Sequence, residues 1–322
     1  MKITKSAFVL LIAAFALTSF TPVKNTKTTG QKSTVSLRKY ENALNFFIIS
    51  DWGWNGFKDQ QIVADQMGLQ AEKIHPQFIV SCGDNFQVAG VASTQDPLWT
   101  NSFENVYKNL SLMVDWYPVL GNHDYKGNTQ AEIDYSKISR RWHMPDHYYT
   151  KTTKVNDSIS ALLIFLDTPP LIEEYHSKEG YPDAVKQDSA QQVRWLNNVL
   201  ANSKEQWKIV FGHHPVYSAS KTHGDTPDMI RKIKPLLEKY NAQFYFCGHD
   251  HDFQHLREKG KTVDYVVTGT GGEPRPCSMY DKSIYSHSAP GFSEVSFHGD
   301  SIRVVFMAAT GEALYKIERS YR

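Results

Sequence analysis

Short apolar runs alternate with longer amphipathic segments through most of the chain. The apolar runs are too short for helices, and they predict buried strands at 45–50, 78–80, 116–120, 159–166, 207–211 and 243–247. Between these strands apolar residues recur at helical spacing, as Val193, Leu196 and Leu200 do. The amphipathic segments predict helices at 57–74, 98–110, 131–142, 187–200 and 225–240. This alternation of strands and helices indicates an α/β body.

The helical pattern stops after the last of these strands. Short strands joined by glycine-containing turns are predicted at 263–268, 292–297, 302–307 and 313–317. They form an antiparallel tail that closes the body. Because no internal repeat or linker divides it, we expect a single domain over residues 41–322.

The N-terminal segment has the order of an export signal. Lys2 and Lys5 precede an apolar run at 7–17, and small and polar residues follow. This order predicts a secretory signal peptide at 1–20 and, after it, a Thr-, Lys- and Ser-rich linker at 21–40. We therefore expect a secreted or periplasmic protein with no membrane span after removal of the signal. The alternative interpretation is an uncleaved membrane anchor.

Composition narrows the classes of function. The 322 residues are 41% hydrophobic and 21% charged, and their formal net charge is +1, as suits a soluble globular protein. No run of Lys and Arg could follow a phosphate backbone, so a nucleic-acid footprint is not expected. We expect a monomer that acts on a small substrate.

Cys82 and Cys247 precede glycines at strand ends and are interpreted as buried core residues rather than as a disulfide framework.

Side chains of metal-ligand type follow five of the predicted strands. The motifs are Asp51-Trp52-Gly53, Gly83-Asp84-Asn85, Gly121-Asn122-His123-Asp124, Gly212-His213-His214-Pro215 and Gly248-His249-Asp250-His251. Ligands of open α/β sheets bind beyond the carboxyl ends of the strands, so these motifs are expected to meet at one edge. Carboxylate and imidazole suit borderline divalent metals, and one carboxylate can bind two cations. The motifs predict a two-metal hydrolytic site in which Asp84 is shared.

Taken together, these motifs resemble the calcineurin-like metallophosphoesterase superfamily, and within it the small, tartrate-resistant type of purple acid phosphatase. The resemblance covers residues 45–270 and includes the segments 135–142, 166–168 and 247–251. It implies a four-layer α-β-β-α sandwich with an antiparallel β tail, that is, an α/β (α+β) fold in which 41–322 is the catalytic domain.

The resemblance also implies a role for each matching residue. Asp51 and His251 correspond to ligands of the first metal and Asp84 to the bridging ligand. The ligands of the second metal correspond to Asn122, His213 and His249. His123 and His223 correspond to catalytic histidines near the substrate and its leaving group. The implied cofactors are two metal ions of the iron, zinc or manganese type.

One position departs from the pattern of the purple acid phosphatases. Their motif is Gly-Asp-x-x-Tyr, and the tyrosinate binds ferric iron and gives the purple colour, whereas Gln87 occupies the tyrosine position here. A neutral amide cannot replace an anionic phenolate beside a trivalent ion. The substitution predicts a divalent ion at the first site and no purple band, unless Tyr125 supplies a phenolate from another loop.

The predicted function is that of an exported, acid phosphatase-like hydrolase of phosphate monoesters. Metal-bound hydroxide is the implied nucleophile, His123 and His223 would protonate the departing alkoxide, and Asp124 is a candidate to orient His123. The segment 269–273 is either a wall of the site or an ordinary glycine-rich turn. The alternatives are a phosphodiesterase or nucleotide pyrophosphatase with the same metals, and an inactive protein that binds metal or phosphate.

Overall fold

The computed structural model describes residues 44–321, so the predicted signal peptide (1–20) and linker (21–40) lie outside the described residues. The strands are β1 (Leu44–Ile49), β2 (Phe78–Ser81), β3 (Asp115–Pro118), β4 (Tyr149–Lys154), β5 (Ser160–Phe165), β6 (Trp207–Phe211), β7 (Phe244–Cys247), β8 (Phe253–Leu256), β9 (Asp264–Thr268), β10 (Ser283–His287), β11 (Gly291–His298), β12 (Ser301–Ala308) and β13 (Ala313–Ser320). The α-helices are α1 (Gln60–Ile74), α2 (Thr129–Tyr135), α3 (Ser189–Asn202), α4 (Pro227–Lys232) and α5 (Lys234–Lys239).

The strands form two mixed sheets. The first has six strands in the order β13-β12-β11-β1-β2-β3, and the second has seven in the order β10-β8-β9-β7-β6-β5-β4. In the first sheet β1, β2 and β3 are parallel neighbours, and the antiparallel tail joins along β1 through β11. In the second sheet β5, β6, β7 and β9 are parallel neighbours. Each sheet therefore has a parallel centre whose strands end at one edge.

The two sheets pack face to face through aromatic side chains. Phe46 on β1 contacts Phe211 on β6 with ring centroids 6.5 Å apart, and Trp207 on β6 contacts Phe297 on β11 at 5.5 Å. Adjacent strand residues face opposite sides of a sheet, so Phe47 lies on the outer face of the first sheet. On that face Gln70 of helix α1 donates a hydrogen bond to Glu294 of β11. The predicted class, an α/β sandwich with an antiparallel tail, is confirmed.

Several predicted elements differ from the structure. The helix predicted at 98–110 is a short π-helix, Trp99–Glu104, because Trp99 and Phe103 are drawn into an aromatic cluster with Trp142. The helix predicted at 131–142 ends at Tyr135, whose ring stacks on Trp99 with centroids 3.5 Å apart.

Helix breaking and sheet edges account for the other differences. The helix predicted at 225–240 is divided at Ile233, because Pro235 has no backbone N–H and its ring clashes with the preceding turn. Strands β4, β8 and β10 were not predicted, and β4 and β10 are the edge strands of the second sheet.

The interpretation of Cys82 and Cys247 is confirmed, since both are buried free thiols.

Candidate metal centre

The backbone at the strand ends adopts conformations that point the side chains towards one another. Asp51 follows β1, Asp84 follows β2 and His249 follows β7, with positive φ angles of 59°, 49° and 68°. Such a left-handed residue costs about 1 to 2 kcal/mol for most side chains and less for Asp, whose side chain can bond locally. A Cβ at Gly121 would collide with the Asp84 carboxylate. The glycine of the Gly-Asn-His motif is required because its loop passes directly against Asp84.

Buried acidic and imidazole groups converge at this edge. Single ligand atoms of Asp51, Asp84 and His213 all lie within 4.8 Å of one another. His213 Nε2 is 3.3 Å from Asp84 Oδ1 and 3.0 Å from Asn122 Oδ1. His251 Nε2 is 3.3 Å from Asp51 Oδ1. The structure thus brings five of the six predicted ligands into one group: Asp51, Asp84, Asn122, His213 and His251.

Backbone carbonyls fix which imidazole nitrogens carry protons. Cys82 O lies 2.9 Å from His213 Nδ1, and Glu273 O lies 2.7 Å from His251 Nδ1. A carbonyl only accepts, so each Nδ1 donates its proton there, and in the neutral ring Nε2 presents a lone pair. In their neutral form, His213 and His251 therefore turn nitrogen lone pairs towards carboxylate and amide oxygens.

Lone pairs crowded at about 3 Å repel one another unless a positive charge lies between them. Asp51 Oδ1 is a buried carboxylate oxygen without a hydrogen-bond partner among the described residues. Burying an unpaired anionic oxygen is costly, and coordination of a cation removes that cost. The donor set of two carboxylates, one amide oxygen and three imidazoles suits borderline divalent metals. The residues at this edge therefore fit metal binding.

His249 completes the group around Asn122. Its Nδ1 lies 2.9 Å from Asn122 Oδ1, and its backbone N–H donates to Asp51 Oδ2. Burial and the neighbouring His214, His213, His223 and His251 lower the pKa of His249 well below its ordinary value. Metal ligation requires a neutral imidazole, so these surroundings keep His249 in the form that binds metal.

The pKa of Asp84 is lowered as well, and for a carboxyl group a lower pKa favours the ionised form. Burial acts to raise the pKa of this carboxyl, but His213 and His123 lower it, and the net shift is downward. The backbone N–H of His123 also donates to Asp84 Oδ1 over 2.8 Å. Asp84 is therefore held ionised, as a carboxylate shared by two cations must be.

The two catalytic candidates lie at the mouth of this group. His123 is 27% exposed, its Nδ1 is 3.1 Å from Val88 O, and its Nε2 is 3.9 Å from Asp84 Oδ2. The exposed His223 ring lies 4.1 Å from the ring of His249, centroid to centroid. Partial burial lowers the pKa of His223, although Asp250 acts in the opposite direction. The structure places both histidines beside the ligand group.

Gln87 also faces the centre. It is 5% exposed, and its side-chain Nε2 donates to Asp84 Oδ2 over 3.3 Å. Tyr125, the other source considered for a phenolate, instead donates its hydroxyl proton to Asp167 Oδ2 at 2.5 Å. Burial and Asp167 raise the pKa of Tyr125 well above its ordinary value. Tyr125 therefore supplies no phenolate to the centre.

Asp124 has a different partner from the one considered in the sequence. Instead of the His123 ring, its carboxylate binds backbone N–H groups of three residues at 2.8 to 3.1 Å: Asn85, Phe86 and Gly121. Asp124 thus joins the loop after β2 to the loop after β3. Burial and Asp84 raise its pKa to about 7.

The segment 269–273 lies against the site, as a wall would. Gly271 N donates to Ser50 O, next to Asp51, and Glu273 O accepts from His251. A second wall, which was not predicted from the sequence, includes Tyr181 in the segment between β5 and α3. Burial raises the pKa of Tyr181, and a hydrogen bond with the Asn122 side chain acts against that rise. The contact of Tyr181 with Asn122 depends on the path of the loop, so no periodicity or motif in the sequence could have indicated it.

Residues 44–253 match the family described as calcineurin-like phosphoesterase. The chain belongs to this family. Tartrate-resistant acid phosphatase type 5 of Oryctolagus cuniculus is 32% identical over 295 residues, which cover 85% of this chain and 90% of that protein. Purple acid phosphatase 17 of Arabidopsis thaliana is 33% identical over 300 residues, with coverage of 86% and 85%. This phosphoesterase is thus homologous to acid phosphatases, which are phosphoric monoester hydrolases.

Solved structures agree with the fold of the phosphoesterase. GAP50, described as the anchor in the inner membrane complex of Plasmodium, superposes with a TM-score of 0.76 at 24% identity, covering 87% of this chain and 89% of GAP50. Purple acid phosphatase PPD1 from yellow lupin seeds gives a TM-score of 0.62 at 14% identity, with coverage of 88% and 54%. At these identities the likeness shows the fold alone. Among residues 44–321 of the phosphoesterase, no helix has the length and apolarity to cross a membrane.

Proposed function

We propose that this protein is a phosphatase that hydrolyses phosphate monoesters at a centre of two metal ions. The observation that carries the proposal is the convergence of Asp51, Asp84 and His213 ligand atoms within 4.8 Å, together with the unpartnered Asp51 Oδ1. Asp51 and His251 would hold the first ion, Asn122, His213 and His249 the second, and Asp84 both. When bound, the ions would polarise the phosphoryl oxygens and lower the pKa of the attacking water.

The protein's own residues have distinct tasks in this proposal. Val88 O accepts the proton on His123 Nδ1, and this hydrogen bond orients the ring. The Nε2 nitrogen then faces the space in front of Asp84. In the imidazolium form Nε2 also carries a proton, which it can donate to the departing alkoxide and so return the ring to its neutral form. The pKa of Asp84 is held low, so this residue stays anionic and does not compete for that proton. His223, whose ring lies 4.1 Å from that of His249, lines the same space.

Charge supports a monoester as the substrate. Two divalent ions carry more positive charge than Asp51 and Asp84 together remove, and the remaining positive charge favours a phosphate dianion. Gln87 adds no negative charge, because its neutral amide faces Asp84. We therefore propose divalent ions at both positions, including the first.

The test is elemental analysis of the purified protein, combined with hydrolysis of p-nitrophenyl phosphate before and after chelation. We expect about two metal equivalents and loss of activity on chelation, with recovery when metal is restored. Asp84→Asn should lose metal and activity, whereas Asp146→Asn, at a residue 73% exposed, should keep both. Higher activity on bis-p-nitrophenyl phosphate would favour a phosphodiesterase. Binding of phosphate without any turnover would favour a binding protein.

We also propose that the protein is exported, on the strength of Lys2, Lys5 and the apolar run at 7–17. Expression of the full chain, fractionation of the cells and N-terminal sequencing of the product test this. A mature protein in the medium or periplasm that begins near residue 21 is expected. A product that keeps its first residues and stays with the membrane would support an anchor instead.

A further inference from the structure

Lys126 lies beside the predicted general acid at the mouth of the metal centre. It is the last residue of the short turn Asp124–Lys126, and its side chain is exposed. Its Nζ is 3.3 Å from His123 Nδ1, but that nitrogen also lies 3.1 Å from Val88 O. Since the carbonyl can only accept, His123 Nδ1 carries the proton and cannot accept one from Lys126. The ring therefore gives the ammonium group no acceptor.

Among the residues that the structure describes, Lys126 has no acidic partner, unlike Lys137 and Lys178. Lys137 pairs with Asp134 at 2.7 Å and Lys178 pairs with Glu174 at 2.8 Å. Within residues 44–321, Lys126 Nζ contacts His123 Nδ1 and forms no ion pair with an Asp or Glu carboxylate. Its ammonium donors remain open to a ligand.

The electrostatic surroundings connect Lys126 to the centre. Partial burial lowers the pKa of Lys126, the Asp84 carboxylate raises it, and Lys178 lowers it again. The ammonium group therefore lies within the field of the bridging carboxylate and of a second lysine. A substrate anion in this region would experience the positive charge of Lys126, since Lys178 is paired with Glu174.

The orientation of His123 indicates which part of a substrate would reach Lys126. Nε2 of the ring faces Asp84, where the proposed function places the scissile phosphate, whereas Nδ1, on the other side of the ring, faces Lys126. A leaving group whose ester oxygen lies at Nε2 and that extends along the ring would reach the ammonium group within a few bonds. Lys126 thus lies on the proposed leaving-group side of the His123 ring.

We propose that Lys126 binds a second anionic group of the substrate. The preferred substrates are then phosphate monoesters whose alcohol carries a carboxylate or another phosphate a few bonds from the ester oxygen. This inference rests on the proposed function, because it assumes that the scissile phosphate binds at the metal ligands. The recognition is a charge-assisted hydrogen bond from the ammonium group to the second anion.

The first test measures binding without turnover, using two phosphonates that cannot be hydrolysed at the ester position. Calorimetry of the metal-loaded protein compares 3-phosphonopropionate, which has a second anion, with propylphosphonate, which has none. We expect the protein to bind the first at least roughly tenfold more tightly, as one charge-assisted hydrogen bond would give. Lys126→Met should abolish this preference, and Lys126→Arg should retain most of it.

A matched control removes one positive charge elsewhere. Lys137→Met changes the net charge equally, but Lys137 is 78% exposed and paired with Asp134, so the preference should persist. Equal affinities of the unmodified protein for the two phosphonates would overturn the inference. An equal loss of affinity for both phosphonates in Lys126→Met would also overturn the inference, because Lys126 would then act through His123 or through overall charge.

Hydrolysis of p-nitrophenyl phosphate separates this inference from the proposed function. If the protein cleaves that ester but shows no preference between the phosphonates, the function stands and the role of Lys126 is refuted. If it prefers 3-phosphonopropionate in a Lys126-dependent manner but cleaves no ester, the anion site is supported and the phosphatase assignment is refuted.

Discussion

The Gln87 side chain donates a hydrogen bond to Asp84 Oδ2 over 3.3 Å, so a neutral amide lies against the carboxylate that two cations would share. A phenolate at the same place would put a negative charge beside a cation at the first position. The difference matters most for a trivalent ion, whose extra charge needs an anionic ligand. The nature of residue 87 therefore bears directly on which ion the first position holds.

Gln87→Tyr tests this relationship. Iron-loaded wild-type protein should lack a strong visible tyrosinate band, and the variant should gain one, because its phenolate would lie beside the first ion. Visible absorption spectra of the two proteins at equal iron content measure the change. Gln87→Phe is the matched control, since it introduces a ring of similar size without the hydroxyl. A strong band in the wild-type protein would contradict the expectation.

The ligands that could be predicted from the sequence share one property: each lies within four residues of the end of a strand. An apolar run followed by Asp, Asn or His is visible in the sequence, and parallel strands must bring such ends to one edge. Tyr181 could not be found in this way, because its approach to Asn122 depends on the path of a long loop.

The missed elements have a similar explanation. Strand β8 contains Gln254 and His255, which are polar yet buried. Gln254 bonds to Asp252 and Ser218, and His255 bonds to Asp264 at 2.7 Å, so distant partners offset the cost of burial. A rule that reads strands from alternating apolar residues does not detect this segment. The π-helix at Trp99–Glu104 likewise depends on tertiary packing of Trp99 and Phe103.

Removal of the metal should destabilise the protein. Without cations, Asp51 and Asp84 leave negative charge buried at one place, and any ligand that binds only the folded state adds stability. Metal at a thousandfold excess over its Kd contributes about 4 kcal/mol. We expect chelation to lower the Tm by roughly 10 °C. Differential scanning calorimetry with and without a chelator measures this.

A variant of one ligand provides the control for that measurement. Asp84→Asn should show a much smaller change in Tm on chelation, because the shared ligand is weakened before the chelator is added. Asp146→Asn should respond as the wild-type protein does. An unchanged Tm of the wild-type protein after complete removal of metal would contradict the proposed centre.

The buried carboxyl of Glu132 should make stability depend on pH. Burial and the neighbouring Asp124 raise the pKa of Glu132 well above its ordinary 4.5, although Asn85 donates a hydrogen bond to it. A folded-state pKa above the unfolded one means that the folded protein holds the proton more tightly. This stabilisation is complete below pH 4.5 and is lost as pH rises towards the folded-state pKa.

Glu132→Gln removes this titration and keeps the shape and hydrogen bonding of the protonated acid. Between pH 5 and pH 8, the free energy of unfolding should fall more in the wild-type protein than in the variant. Urea denaturation at both values measures the difference, in which the effects of other titrating groups cancel. Glu179→Gln, at an exposed position, should follow the wild-type curve. A variant with the same pH slope as the wild-type protein would show that Glu132 does not hold a proton in this range.

The last prediction concerns His123 and the leaving group. Its Nε2 faces the space before Asp84, and a proton delivered there matters most when the departing alkoxide is a strong base. His123→Ala should lower kcat/KM for an alkyl phosphate by roughly 10² to 10⁴, the range found for general acids. The loss should be much smaller for p-nitrophenyl phosphate, whose leaving group departs as a stable anion. The measured quantity is the slope of log kcat/KM against the pKa of the leaving group, which should become steeper in the variant. His143→Ala, at a histidine paired with Asp115 outside the ligand group, should leave the slope unchanged. If His123→Ala reduced all esters by the same factor, His123 would bind the phosphate rather than protonate the leaving group.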